Sequence, residues 1–112
     1  MAPRKIIWTP QCLSNLEQIA EYIAQDAPLT ASKLVEHFLQ SIERLPLFPY
    51  MGRVVPEIGK SNIRELISKN YRILYEVKEF SLDLLGIVHS RQQLDTSKFI
   101  KSDQGDLSQG DR

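Results

Sequence analysis

Two amphipathic segments joined by almost no chain set the first limit on this fold. Leu13, Leu16, Ile19, Ala20 and Ile23 recur at three- and four-residue steps, with Ser14, Glu17, Gln18 and Glu21 opposite them. Thr9-Pro10 opens this segment. The hydroxyl suits an N-cap, and the proline's missing N–H falls where a helix has no acceptor for it. Asp26-Ala27-Pro28 closes it. A second stripe of Ala31, Leu34, Val35, Phe38, Ile42 and Leu45 follows at once and stops at Pro46, whose ring cannot occupy a helix interior. So short a joint predicts an antiparallel αα-hairpin. Each helix is apolar on one side, so the hairpin needs a second layer.

The remaining residues supply a sheet. Residues 5–8 carry Ile6, Ile7 and Trp8 in a row and read as a short strand. Residues 47–59 hold Pro49, Gly52, Pro56 and Gly59 and read as a loop. Three strand-like runs follow at 62–68, 71–78 and 82–90, with connections short enough for hairpins. The order β-α-α-β-β-β predicts an α+β fold, with the helical hairpin on one face of a small, mainly antiparallel sheet. The 112 residues, 42% of them hydrophobic, suit one domain with its own core. That domain is expected over 1–94. A polar C-terminal tail is expected over 95–112, anchored if at all by Phe99 and Ile100.

Strand parity assigns the faces. Tyr71, Ile73, Tyr75 and Val77 alternate with Arg72, Leu74 and Glu76, and the aromatic and branched set is expected under the helices. In the last run Leu82, Leu84, Gly86 and Val88 alternate with Leu85, Ile87, His89 and Arg91, and both sides are apolar at the centre. Two helices cover one face. The other is therefore expected to bring together Arg64, Leu66, Arg72, Leu74, Leu85, Ile87, His89 and Arg91. An apolar patch of that kind is either a partner-binding surface or is covered by the C-terminal tail or a second copy. Glu65 resists the scheme, because it falls among helix-facing positions; it lies at an edge or the register there is shifted by one.

Familiar reaction chemistry is scarce. There is no Gly-rich phosphate loop, GxSxG, HExxH or pair of cysteines. His37, His89 and Cys12 lie far apart, and a metal site needs three or four convergent ligands, so neither metal nor cofactor is expected. His37 shares the polar stripe of its helix with Lys33, Ser41 and Arg44 and is expected at the surface. Fourteen basic residues balance fourteen acidic ones. That argues against strong nucleic-acid binding, and no sequence-specific DNA binding by this chain alone is expected. The apolar run at 6–8 is too short for a signal peptide or a span, so a cytoplasmic location without membrane contact is expected. One constellation has chemical potential: Arg64, Arg72, His89 and Arg91. Guanidinium groups hold phosphates bidentately, and an imidazole can shuttle a proton in RNA cleavage. Strand arginines also serve as solubility devices, or as salt-bridge partners for a residue such as Glu76.

Several runs resemble the RelE/ParE superfamily, the toxin halves of bacterial type II toxin–antitoxin pairs. They are Ile63-Arg64-Glu65-Leu66, the stretch Asn70-Tyr71-Arg72-Ile73-Leu74-Tyr75-Glu76-Val77, and Leu85-Gly86-Ile87-Val88-His89-Ser90-Arg91. Pro49-x-x-Gly52-Arg53 and the opening from Trp8 to Ile23 belong to the same resemblance. It extends from about Ile6 to Leu94 and implies a cognate antitoxin as partner. Its RelE-like branch consists of ribosome-dependent mRNA endonucleases, whose partners are ribosome and mRNA and whose catalytic arginines fall at Arg72 and Arg91. Those enzymes also use two basic residues in the preceding strand and often a tyrosine after the last one. Here Arg64 could fill one basic position, Leu66 stands at the other, and residues 92–100 contain no tyrosine. The related YoeB-like nucleases end in His-Tyr, whereas His89 precedes Ser90. Val88-His89-x-Arg91 and Gly52-Arg53 look more like the ParE branch, whose members poison DNA gyrase by protein–protein binding. The resemblance thus implies a ParE-like gyrase inhibitor causing growth arrest. A RelE-like nuclease using Arg64, Arg72, His89 and Arg91 is the alternative, and a non-toxic binding module the second.

Overall fold

The computed structural model describes residues 3–99. Strand β1 (Lys5–Trp8) leads into helix α1 (Pro10–Ala24) through Thr9, whose Oγ1 accepts a hydrogen bond from the Cys12 amide at 3.2 Å. The same hydroxyl donates to the Leu84 carbonyl at 2.6 Å, so the cap also ties the helix start to the sheet. Helix α2 (Pro28–Glu43) returns antiparallel to α1. Strands β2 (Arg53–Val54), β3 (Ile63–Ser68), β4 (Tyr71–Val77) and β5 (Ser81–His89) follow, then a 3-10 turn at Thr96–Lys98. The sheet order is β1-β5-β4-β3-β2, with β1 parallel to β5 and every other pair antiparallel.

The helical layer packs as the two stripes require. Phe38, Ile42, Leu45 and Cys12 meet Leu66, Ile73, Tyr75, Val77, Leu82, Leu84 and Ile87 in one core. Phe38 and Ile42 are fully buried as expected. Leu16 and Ile23, expected to be among the most buried, are only half-buried, and Cys12 is the fully buried residue of α1. The expected loop at 47–59 contains the two-residue strand β2, too short to stand out against its prolines and glycines. It approaches the sheet closely at Gly52, whose amide donates to the Tyr75 hydroxyl at 3.0 Å while that hydroxyl donates to the Pro49 carbonyl at 2.9 Å. A Cβ at position 52 would lie 2.5 Å from the Glu65 carbonyl oxygen, so the approach depends on glycine.

Two corrections to the expected parity fix the faces. Tyr75 pairs with Leu84 but Leu74 with Gly86, leaving Leu85 as the extra residue of a β-bulge. Beyond that bulge the alternation inverts. Ile87 joins the helix-side core and His89 packs edge-on against Tyr71, while Val88 turns to the far side. In β3, Leu66 pairs with Ile73 and joins the helix-side core, and Arg64 pairs with Tyr75 on the same side. Glu65 pairs with Leu74 and faces away from the helices, so the one-residue shift explains its misfit. Arg64, Leu66, Ile87 and His89 therefore do not share a face with Arg72 and Leu74.

The far face is not open. Leu74 is fully buried there among Val55, Ile63, Val88, Leu94 and Phe99, with Ile58 and Leu85 packed alongside. The loop after β2 covers one part and the segment after β5 the other. Phe99 lies directly over Gly86, where a Cβ would meet its ring at 2.5 Å. The second anchor expected in the tail, Ile100, falls outside the described residues. Among the described residues, no helix is long and apolar enough to cross a membrane.

Candidate functional site

Arg72 projects from the centre of the sheet into the covered face, and its guanidinium is the hub of a charge cluster. Its Nε donates to Glu65 Oε1 at 2.6 Å, while Nη1 and Nη2 hold both oxygens of Glu57 at 3.0 and 2.7 Å. Arg53, the β2 neighbour of Glu65, donates through Nε to that residue's other oxygen. The Glu65 side chain has no solvent exposure and that of Arg72 only 7%. A carboxylate so buried is tolerable only when paired, and two guanidinium groups share this one. Arg72's hydrogen bonds hold the Glu57 carboxyl below the usual glutamate range, and Glu57 in turn raises the Arg72 pKa. A guanidinium already carrying two carboxylates is neutralised and has little left for a phosphate.

The remaining expected site residues are dispersed. Arg64 Nε donates to the Ser61 carbonyl at 2.8 Å and Nη1 to the Gly52 carbonyl at 3.0 Å. Its guanidinium also lies 5.0 Å from the Tyr50 ring centroid, so it props the loop after α2. His89 stands at the helix-side end of β5, its Nδ1 accepting from the Arg91 amide at 3.1 Å. The Arg91 side chain is exposed beyond the strand. Leu66 and Ile87 belong to the helix-side core, and Leu74 and Leu85 to the far layer. Arg53, Glu57 and Glu65 were missed as a unit. Their one sequence signal was Glu65 itself, a carboxylate at a position expected to face the helices, which had to find a cation.

Among the described residues, no group of three or more His, Cys, Asp or Glu side chains could hold a metal. The lone thiol, Cys12, is pushed up to about 12 by burial and is inert near neutrality. Among the exposed apolar features, two groups are contiguous enough to serve a partner. Leu47, Phe48, Tyr50 and Met51 are exposed on the loop after α2, which the Tyr75 and Arg64 hydrogen bonds hold in place. A groove between the helices is lined by Ala20, Ala24, Ala31, Val35 and Leu39 and edged by Glu21 and Glu36.

A helical hairpin over a five-stranded, mostly antiparallel sheet of this order is the α+β architecture that the RelE/ParE resemblance implies. Residues 6–94 match the family model described as ParE toxin of type II toxin-antitoxin system, parDE. A candidate toxin named Y4kP from Sinorhizobium fredii strain NGR234 is 32% identical, over 83% of this chain and 95% of its own. Toxin RelE2 of Caulobacter vibrioides is 28% identical, over 77% of this chain and 94% of its own. A chain of the solved structure "Chromosomal ParDE TA system from P. aeruginosa" superposes with a TM-score of 0.65 at 19% identity, covering 77% of this chain and 95% of that one. This chain belongs to the ParE toxin family of type II toxin–antitoxin systems, and that membership implies an antitoxin partner.

Proposed function

We propose that this toxin arrests growth by binding DNA gyrase and that a cognate antitoxin neutralises it, without any hydrolytic chemistry of its own. The observation that carries this reading is the Arg72 cluster. The arginine that a RelE-like nuclease would use on the phosphate is buried and bound to Glu57 and Glu65. The other nuclease candidates stand apart from it: Arg64 braces a loop, His89 lies on the opposite face, and Arg91 is beyond the strand. Exposed Leu47, Phe48, Tyr50 and Met51 suit a protein target better than an anionic one, since apolar and aromatic side chains dominate protein–protein contact energy. The interhelical groove fits an amphipathic antitoxin segment whose basic side chains reach Glu21 and Glu36.

The test pairs two assays on the purified chain. Inhibition of gyrase supercoiling is expected, with no ribosome-dependent cleavage of mRNA. Phe48→Ser with Met51→Ser should relieve the inhibition without unfolding the chain, because both residues are exposed. Cleavage of mRNA without an effect on supercoiling would transfer the protein to the nuclease branch. Inactivity in both assays would make it a binding module.

A further inference from the structure

The helix-side end of the sheet carries a cleft that the toxin mechanism does not use. It has a volume of about 570 Å³, and its lining includes Lys33, Lys69, His37, His89, Tyr71 and Leu34. No acidic side chain lines it. The two imidazoles are each pinned at Nδ1, His37 against the buried Ser68 hydroxyl at 2.7 Å and His89 by the Arg91 amide. A backbone N–H donating to His89 Nδ1 makes that nitrogen an acceptor, so the neutral ring carries its proton on Nε2. Both Nε2 atoms remain without a partner among the described residues, as do the ammonium groups of Lys33 and Lys69. Tyr71 makes edge-on contacts with Phe38 and His89 and, with Ile23 and Leu34, forms the apolar part of the lining.

The turn between β3 and β4 places Lys69 at the cleft. Lys69 has φ 57°, the only non-glycine residue with positive φ among those described. A two-residue hairpin loop between Ser68 and Tyr71 requires a positive φ at its first residue, so the turn itself accounts for this conformation. Glycine would suit the position better on backbone grounds, and the lysine there brings an ammonium group to the cleft.

We propose that this cleft binds a mononucleotide. Lys33, Lys69 and the His89 Nε2–H would hold its phosphate, and its base would lie against Tyr71, Ile23 and Leu34. The donor set is cationic with no carboxylate to repel an anion, the wall is apolar and aromatic, and the volume lies in the range of small-ligand sites. The site faces away from the Arg72 cluster, so it stands or falls independently of the gyrase reading.

Calorimetric titration of the full chain with AMP, adenosine and pyrophosphate, with the His89 ring followed by NMR, tests this. AMP is expected to bind and to shift the His89 signals, with adenosine and pyrophosphate each at least about tenfold weaker. Lys69→Gly and Lys33→Gln should each weaken AMP about tenfold, Lys69→Gly while raising the melting temperature as strain is released. Absence of AMP binding overturns the proposal, as does unchanged affinity in both variants. Adenosine binding as well as AMP would remove the phosphate contact, and pyrophosphate binding as well as AMP would remove the base contact; either result overturns it.

Discussion

At the scale of single residues, Glu65 is the most consequential side chain in the sheet. It has no solvent exposure and is bonded to Arg53 and Arg72. Removing one member of a buried ion pair leaves the other uncompensated, at a cost of ~3–5 kcal/mol. Glu65→Ala should sit near the lower end, because Arg72 keeps Glu57 and the Arg53 side chain is 61% exposed and can turn to water. Replacing the pair together, Arg72→Met with Glu65→Leu, should recover most of that loss in urea denaturation and leave growth arrest intact. A well-folded double variant without toxicity would return Arg72 to the mechanism. Glu57 gives a second, pH-dependent expectation. Its folded pKa is depressed, so its contribution is fully present above the ordinary glutamate value of 4.5 and is lost as pH falls through the lower folded value. Glu57→Gln should therefore destabilise at neutral pH and converge with the parent at low pH. A constant difference across the acid range would show that the bond to Arg72 is not what couples Glu57 to stability. Arg72 could be picked out from sequence, but its partners could not. Glu57 lies in a loop whose path no periodicity specifies, and Glu65 looked like an error until its face was known.

At the scale of elements, both helices and every strand from β3 to β5 were legible because periodicity and proline positions agree. The sides of β5 were not. A bulge adds one residue and inverts everything after it, and Leu84-Leu85-Gly86 offers no alternation that would betray the extra residue. The consequence is that Ile87 and His89 face the helices while Gly86 and Val88 receive the C-terminal segment. Gly86→Ala tests that geometry. The new Cβ would fall 2.5 Å from Phe99 Cε1, and overpacking of this kind costs ~1–3 kcal/mol. Phe99→Ala removes the nearer obstacle and leaves Asn15 Oδ1 at 3.0 Å, so the double variant should lose less than the sum of the single losses, a coupling within the ~0.5–3 kcal/mol range of contacting pairs. Strict additivity would mean that Phe99 does not lie on Gly86 in solution. His37 was expected to be a plain surface residue, and its bond to buried Ser68 could not be foreseen without the pairing that places β3 beside α2.

At the scale of the whole molecule, the chain is a three-layer arrangement built from two unequal coverings. The helical hairpin seals one face of the sheet, and a loop together with the chain after β5 seals the other. The sequence showed the apolar far face plainly through Leu74 and Leu85. It offered the C-terminal tail, anchored by Phe99, as one candidate cover but gave no sign of Val55 or Leu94, because short apolar anchors in polar surroundings carry no period. If the closure is structural, ending the chain after Gln93 should be costly although it removes only the 3-10 turn at Thr96–Lys98 and no α-helix or strand. Leu94 and Phe99 are each nearly buried, and burial of such a side chain is worth ~1.5–3 kcal/mol. Their joint loss of about 3–6 kcal/mol is a large part of the 5–15 kcal/mol that typically holds a domain together. The shortened chain should unfold at a lower urea concentration and bind a hydrophobic dye at the newly bared Leu74 and Val88. Leu74→Ser added to the truncation should abolish the dye signal. An unchanged urea midpoint would mean that the far face is closed by the loop after β2 alone, and that the segment after β5 is free to engage a partner.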